Sequence, residues 1–91
     1  MNLRICDSGH EQILPASIEL VEQAFAPDAT IRDGTEIALA EGERWIAAVA
    51  VGPPGGPAEF LVTGADGDMP APSGQMARGE ALRRFQEFMA T

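Results

Sequence analysis

Cys6 and His10 are the first side chains of this 91-residue chain whose types invite chemistry. A thiolate and an imidazole can serve as nucleophile and base, or both can bind a metal. They are also the only cysteine and the only histidine present. Zinc takes four protein ligands in a structural site, or three and a water in a catalytic one, so scattered carboxylates would have to complete the set. Cys–His catalysis needs the base held within reach of the sulfur and a donor for the developing charge. A spacing of four residues beside the turn Asp7-Ser8-Gly9-His10 supplies neither. The pair reads as a strand-end cysteine and a surface histidine.

The remaining candidates resolve in the same way. Asp66-Gly67-Asp68 begins like a calcium loop, but Met69-Pro70-Ala71-Pro72 follows where further oxygen ligands belong. Gly52-Pro53-Pro54-Gly55-Gly56-Pro57 is glycine-rich, yet its prolines lack the N–H donors of a phosphate cradle, and no Lys-Ser/Thr pair follows. It reads as a hairpin loop. Glu41 and Glu43 flank a turn beside Arg44, and nothing in the sequence sets two acidities apart as acid–base catalysis requires. Ser8, Ser17 and Ser73 lie in no nucleophile-elbow pattern. The expectation is a protein that is not an enzyme and takes no metal or cofactor.

The acids themselves suggest a different use. Glu36, the turn Glu41-Gly42-Glu43, and Asp66 with Asp68 are expected to form one negative rim that binds a basic partner protein, with electrostatic steering speeding association. Dispersed surface charge that only keeps the chain soluble is the competing reading. The formal net charge is -8. Residues 1–33 hold six acids and two arginines, residues 34–72 six acids and one arginine, and residues 73–91 two acids and three arginines. Phosphate binding needs clustered cations, so nucleic acid and anionic membrane surfaces are excluded as expected partners.

These groups must be positioned by a small set of elements organised around Trp45-Ile-Ala-Ala-Val-Ala-Val51, an unbroken run of seven apolar residues between turn signals. Its length fits a buried strand and falls far below the about 20 residues of a membrane-spanning helix. Alternation puts Trp45, Ala47, Val49 and Val51 on one face, and Ile46, Ala48 and Ala50 on the other. Both faces are apolar, so both are expected to be covered, and the alanines allow a helix or another chain to approach closely. Thr35–Glu41 and Ala58–Thr63 read as strands on either side, making a three-stranded antiparallel meander with Ile37, Leu39, Phe60 and Val62 inward.

Residues 2–7 read as a first strand, with Leu3 and Ile5 inward. Leu14, Ile18, Val21 and Phe25 form one helical stripe over residues 15–26, opened by Pro15 and stopped by Pro27. Thr30-Ile31-Arg32 is a brief extended piece, residues 64–74 a loop, and residues 76–89 a closing helix with Ala81, Leu82, Phe85, Phe88 and Met89 on one side. The predicted fold is a single α+β domain over residues 1–91, a small two-layer sandwich with the order β-α-β-β-β-α and three to four strands. If both helices take one face of the sheet, the other must meet loops, solvent or another subunit. One cysteine excludes an internal disulfide, and no signal-peptide pattern opens the chain, so a soluble cytoplasmic protein is expected.

The meander around Trp45–Val51, the segment Phe60-Leu-Val-Thr-Gly-Ala-Asp-Gly67 and the closing Glu80-Ala-Leu-Arg-Arg-Phe-Gln-Glu-Phe88 helix resemble small acidic immunity proteins that neutralise bacterial polymorphic toxins. The resemblance covers about half the chain and implies a non-enzymatic inhibitor that covers a toxin's active site with an acidic surface. Two functional expectations result. One is an acidic interaction module of the immunity, inhibitor or adaptor kind. The other is a homodimeric ligand-binding or catalytic domain, with a second subunit over the far sheet face and a pocket at the seam.

Overall fold

A computed structural model describes residues 1–7, 9–26, 34–51, 59–66, 69–70 and 74–90. The elements run β1 (Asn2–Asp7), β2 (His10–Pro15), α1 (Ile18–Ala24), β3 (Glu36–Glu41), β4 (Arg44–Val51), β5 (Glu59–Asp66), β6 (Met69–Pro70), β7 (Gly74–Ala77) and α2 (Arg78–Ala90). All pairings are antiparallel. The sheet order is β2-β1-β3-β4-β5, with β6 and β7 both on the far edge of β5. The α+β class and the β3-β4-β5 meander agree with the sequence reading. The strand number does not: seven strands stand among the described residues where three to four were expected.

The largest departure lies at residues 10–15. These residues, for which no strand was expected, form β2, which folds back on β1 in register from Asn2↔Pro15 to Asp7↔His10, and the helix expected over residues 15–26 is shortened to Ile18–Ala24. Gly9 carries φ 85° in the connecting turn, a conformation that glycine adopts without steric cost. Leu14 therefore stands opposite Leu3 in the sheet rather than on a helix. Pro15 is tolerated because it ends an edge strand. The helix begins after Ser17, whose Oγ accepts the Leu20 N–H at 3.2 Å and so satisfies one of the free donors of the first turn. Ile18, expected inside, is 55% exposed. Val21 and Phe25 are buried, with Leu20 and Ala24 packed beside them.

The second departure lies at residues 64–77. Strand β5 runs on to Asp66, β6 lies within the expected loop, and β7 takes the loop's last residue and the first two residues of the expected helix. The closing helix starts at Arg78 rather than residue 76. Pro27, the extended piece at Thr30–Arg32, the loop Gly52–Pro57 and Ser73 lie outside the described residues.

Both helices pack on one face of the sheet. Cross-strand rows build the buried side: Leu3 opposite Leu39 and Leu39 opposite Ile46, then Ile37 opposite Ala48 and Ala48 opposite Val62, then Ala50 opposite Phe60. Val21 and Phe25 of α1 and Ala81 and Phe85 of α2 join these residues in a single core cluster. Phe25 meets Phe60 edge-on at 5.1 Å between ring centroids and Phe85 at 4.9 Å. Arg44, at the rim of this side, donates to the Phe88 carbonyl at 3.0 Å and lies 4.5 Å from the Phe88 ring centroid. A cation there complements the negative end of α2, whose last turn holds no basic residue.

Truncating Phe25 to alanine is expected to lower the unfolding free energy by about 3–5 kcal/mol, whereas Ser17→Ala costs about 1 kcal/mol through the lost cap. Urea unfolding of the two variants checks both the magnitudes and their order.

Candidate functional site

The second face of the sheet faces outward, and no described helix lies on it. Register fixes its membership. Asn2, Ala40, Trp45 and Ala65 form one row across β1, β3, β4 and β5. Arg4, Ala38, Ala47 and Thr63 form the next, and Cys6, Glu36, Val49 and Leu61 the third. The middle of the face is thus a floor of small apolar side chains. Trp45 stands at one end, 42% exposed, and Leu61 at the other, 44% exposed. Ile13, beside Arg4 on the edge strand β2, is 58% exposed. An antiparallel strand with one face in water normally alternates apolar and polar residues. β4 is apolar on both sides, and among the described residues only one side is fully covered; Ala47, Val49 and Val51 on the outward side are half-buried.

A polar cluster flanks this floor on the β2 side. The Arg4 guanidinium donates to Glu36 Oε1 and lies 3.6 Å from Glu11 Oε2. Both carboxylates sit diagonally across from Arg4 on the neighbouring strands, within reach of a long side chain. The bond to Glu36, and then its charge, raise the Arg4 pKa further. Cys6 stands opposite Glu11, its Sγ 3.7 Å from Glu11 Oε2. Desolvation pushes the thiol above its ordinary value; Arg4 opposes this, and Glu11 and Glu36 add to it. A thiol held in its neutral form is a poor nucleophile. His10 pairs with Asp7, one register step from the Cys6–Glu11 pair, so alternation sends Cys6 and His10 to opposite faces. They form no catalytic pair. Among the described residues no three His, Cys, Asp or Glu side chains gather into a group able to hold a metal.

The expected acidic rim is divided. Glu41 ends β3, and Glu43 lies in the two-residue turn after it; both are exposed. Gly42 has φ 61°, the left-handed conformation that a tight hairpin turn requires. The backbone of Asp66 pairs with Arg44 at this same end of the sheet. The Glu41 carboxylate lies 3.7 Å from the Met1 amine. Glu36 stands at the other end of β3, about 17 Å away at the usual strand rise, on the outward face with Arg4. Asp68 lies outside the described residues. Sequence reasoning missed the Arg4–Glu11–Glu36 cluster, because only the placement of β1 between β2 and β3 creates it.

Among the described residues no helix is long and apolar enough to cross a membrane. Comparison with models of known protein families, with curated proteins and with solved structures found no match.

The environment of Cys6 sets a pH dependence. Its alkylation rate should rise with a midpoint above the ordinary thiol value. Glu11→Gln, which removes a neighbouring negative charge, should move that midpoint down, and Arg4→Gln should move it up. Initial rates with iodoacetamide across a pH series measure all three, and a wild-type midpoint at the ordinary value contradicts the assigned surroundings.

Proposed function

We propose that this protein is an interaction module that works by burying the outward face of its sheet against another protein surface. The exposure of Trp45 and Leu61, on strands whose opposite face is filled by the core, carries this reading. Contiguous apolar surface of this kind on a soluble domain marks an interaction site more often than chance. Tryptophan is among the residue types that dominate binding energy at interface centres. The cluster of Arg4, Glu11 and Glu36 supplies the polar rim that such interfaces carry. Nothing in this mode of action calls for a catalytic group, a metal or a cofactor.

A basic partner is the second reading, favoured by the net charge of -8 and by Glu41 and Glu43 standing exposed at one end of the sheet. In that reading the acids steer the encounter and the apolar face holds the complex. The resemblance to immunity proteins would make the partner a toxin whose active site is covered.

The first reading is tested with Trp45→Glu combined with Leu61→Glu. The double variant should keep its circular dichroism spectrum, because both side chains are already exposed, and weaken complex formation by more than about tenfold. Binding measured by affinity capture followed by titration decides this; full retention of every complex, self-association included, overturns the module reading. For a basic partner, Glu41→Ala with Glu43→Ala should slow association at low salt while leaving dissociation nearly unchanged. Stopped-flow association rates show whether those two residues take part.

A further inference from the structure

We infer that the occupant of the outward face is a second copy of this chain. Two sheets then pack face to face about a two-fold axis, with the helices outermost. The inference rests on the interaction-module reading and names its partner.

Charge placement favours a second copy over a basic protein. A chain of net charge -8 repels its own kind wherever its acids are exposed. Yet the floor made by Ala38, Ala40, Ala47, Val49 and Ala65 between Trp45 and Leu61 carries no charged side chain. On the β2 side of this face Arg4 pairs with both Glu11 and Glu36. On the β5 side the Glu59 carboxylate accepts from the Gln75 amide. Further acids lie elsewhere: Glu19 and Glu22 on α1, Glu80 and Glu87 on α2, and Glu41 and Glu43 at the turn. Two copies can therefore meet through this face without opposing like charges at its centre. A surface adapted to a basic partner would present acids there.

Area and shape agree. Six strands' width at about 4.8 Å spacing, with central strands of six to eight residues at about 3.4 Å rise, gives a face of about 500 Å² in plan. Two such faces bury about 1,000 Å² or more, the threshold for a specific protein interface. Contact across a two-fold axis is isologous, so a bulky group on one copy must meet a shallow place on the other. Trp45 supplies the bulk and the alanine floor the shallow place. Sheets packed at about 10 Å with strands inclined by about 30° are the common way to close such a layer. The apolar pattern of β4, written for burial on both sides, is then satisfied on both.

The experiment follows oligomeric mass by sedimentation equilibrium and Trp45 emission by fluorescence, over a dilution series of the whole chain. The expected species has twice the chain mass, and dilution shifts the emission to the red as Trp45 returns to water. Raising NaCl from about 0.1 M to about 1 M shortens the Debye length from about 10 Å to about 3 Å. A self-associating acidic chain should tighten over that range, whereas a complex with a basic protein should loosen. Trp45→Glu and, separately, Leu61→Arg should weaken the dimer by at least about tenfold, and Ile18→Ala, on the helix side, should leave it unchanged. A monomer at every concentration with constant red emission overturns the second copy. If the Trp45/Leu61 double variant also loses capture of another protein, the module reading survives that failure. A dimer indifferent to both Trp45→Glu and Leu61→Arg overturns the inference too, and points to pairing at the β2 edge.

Discussion

Phe25 ties the fold together. It caps the C-terminal end of α1, and its ring meets Phe60 of the sheet on one side and Phe85 of α2 on the other, both edge-on. Edge-on aromatic pairs contribute about 0.5–1.5 kcal/mol beyond the area they bury. More consequential is where the three rings stand. They hold both helices to the same side of the sheet, since Phe25 at the end of α1 meets Phe60, and Phe85 of α2 meets Phe25, only there. A seven-residue helix and a thirteen-residue helix then complete one layer. No described helix lies on the other side.

That one-sidedness explains an apparent conflict in β4. Ile46, Ala48 and Ala50 point into the core and are buried. Trp45, Ala47, Val49 and Val51 point away from it, and apart from the Trp45 indole N–H nothing in their chemistry suits water. Polar residues in those places would have cost the core nothing, because alternate residues of a strand do not share a face. The outward apolar residues are therefore not a by-product of packing the inside. Burying them offers about 25 cal/mol per Å² of apolar surface, which the proposed association would collect.

Much of this was legible in the sequence where neighbours along the chain decide the structure. The boundaries of β3 and β4 follow from the turn at Gly42 and the apolar run after it, and α2 follows from the spacing of Ala81, Leu82, Phe85, Phe88 and Met89. The absence of alternation in Trp45–Val51 led to the expectation of two covered faces, of which the described residues cover one. Residues 10–15 misled because Leu14, Ile18, Val21 and Phe25 fall on a helical stripe by spacing alone. Leu14 serves a strand, Ile18 faces solvent, and the capping hydroxyl of Ser17 marks the true start. Strands β6 and β7 span two and four residues, too few to show a period. The Arg4–Glu11–Glu36 cluster was out of reach for another reason: its members come from three strands whose adjacency is set by α1 carrying the chain past β1 to β3.

Charge and apolar surface divide the molecule between them. Acids occupy the exposed faces of both helices and the β3–β4 turn, where each adds to a repulsive field around the chain. Such a field opposes indiscriminate sticking, because any two copies must first overcome it. On the outward face Arg4 pairs with two carboxylates, and the floor between Trp45 and Leu61 carries no charged side chain. A chain with an open apolar sheet but little net charge would face many unwanted pairings, including edge-to-edge growth at β2. In the proposed pairing, acidity elsewhere and an uncharged floor here would favour the orientation in which the two apolar faces meet. The same residues that made the composition look like a label for a basic partner would, in that pairing, act as a filter on how the sheet is covered.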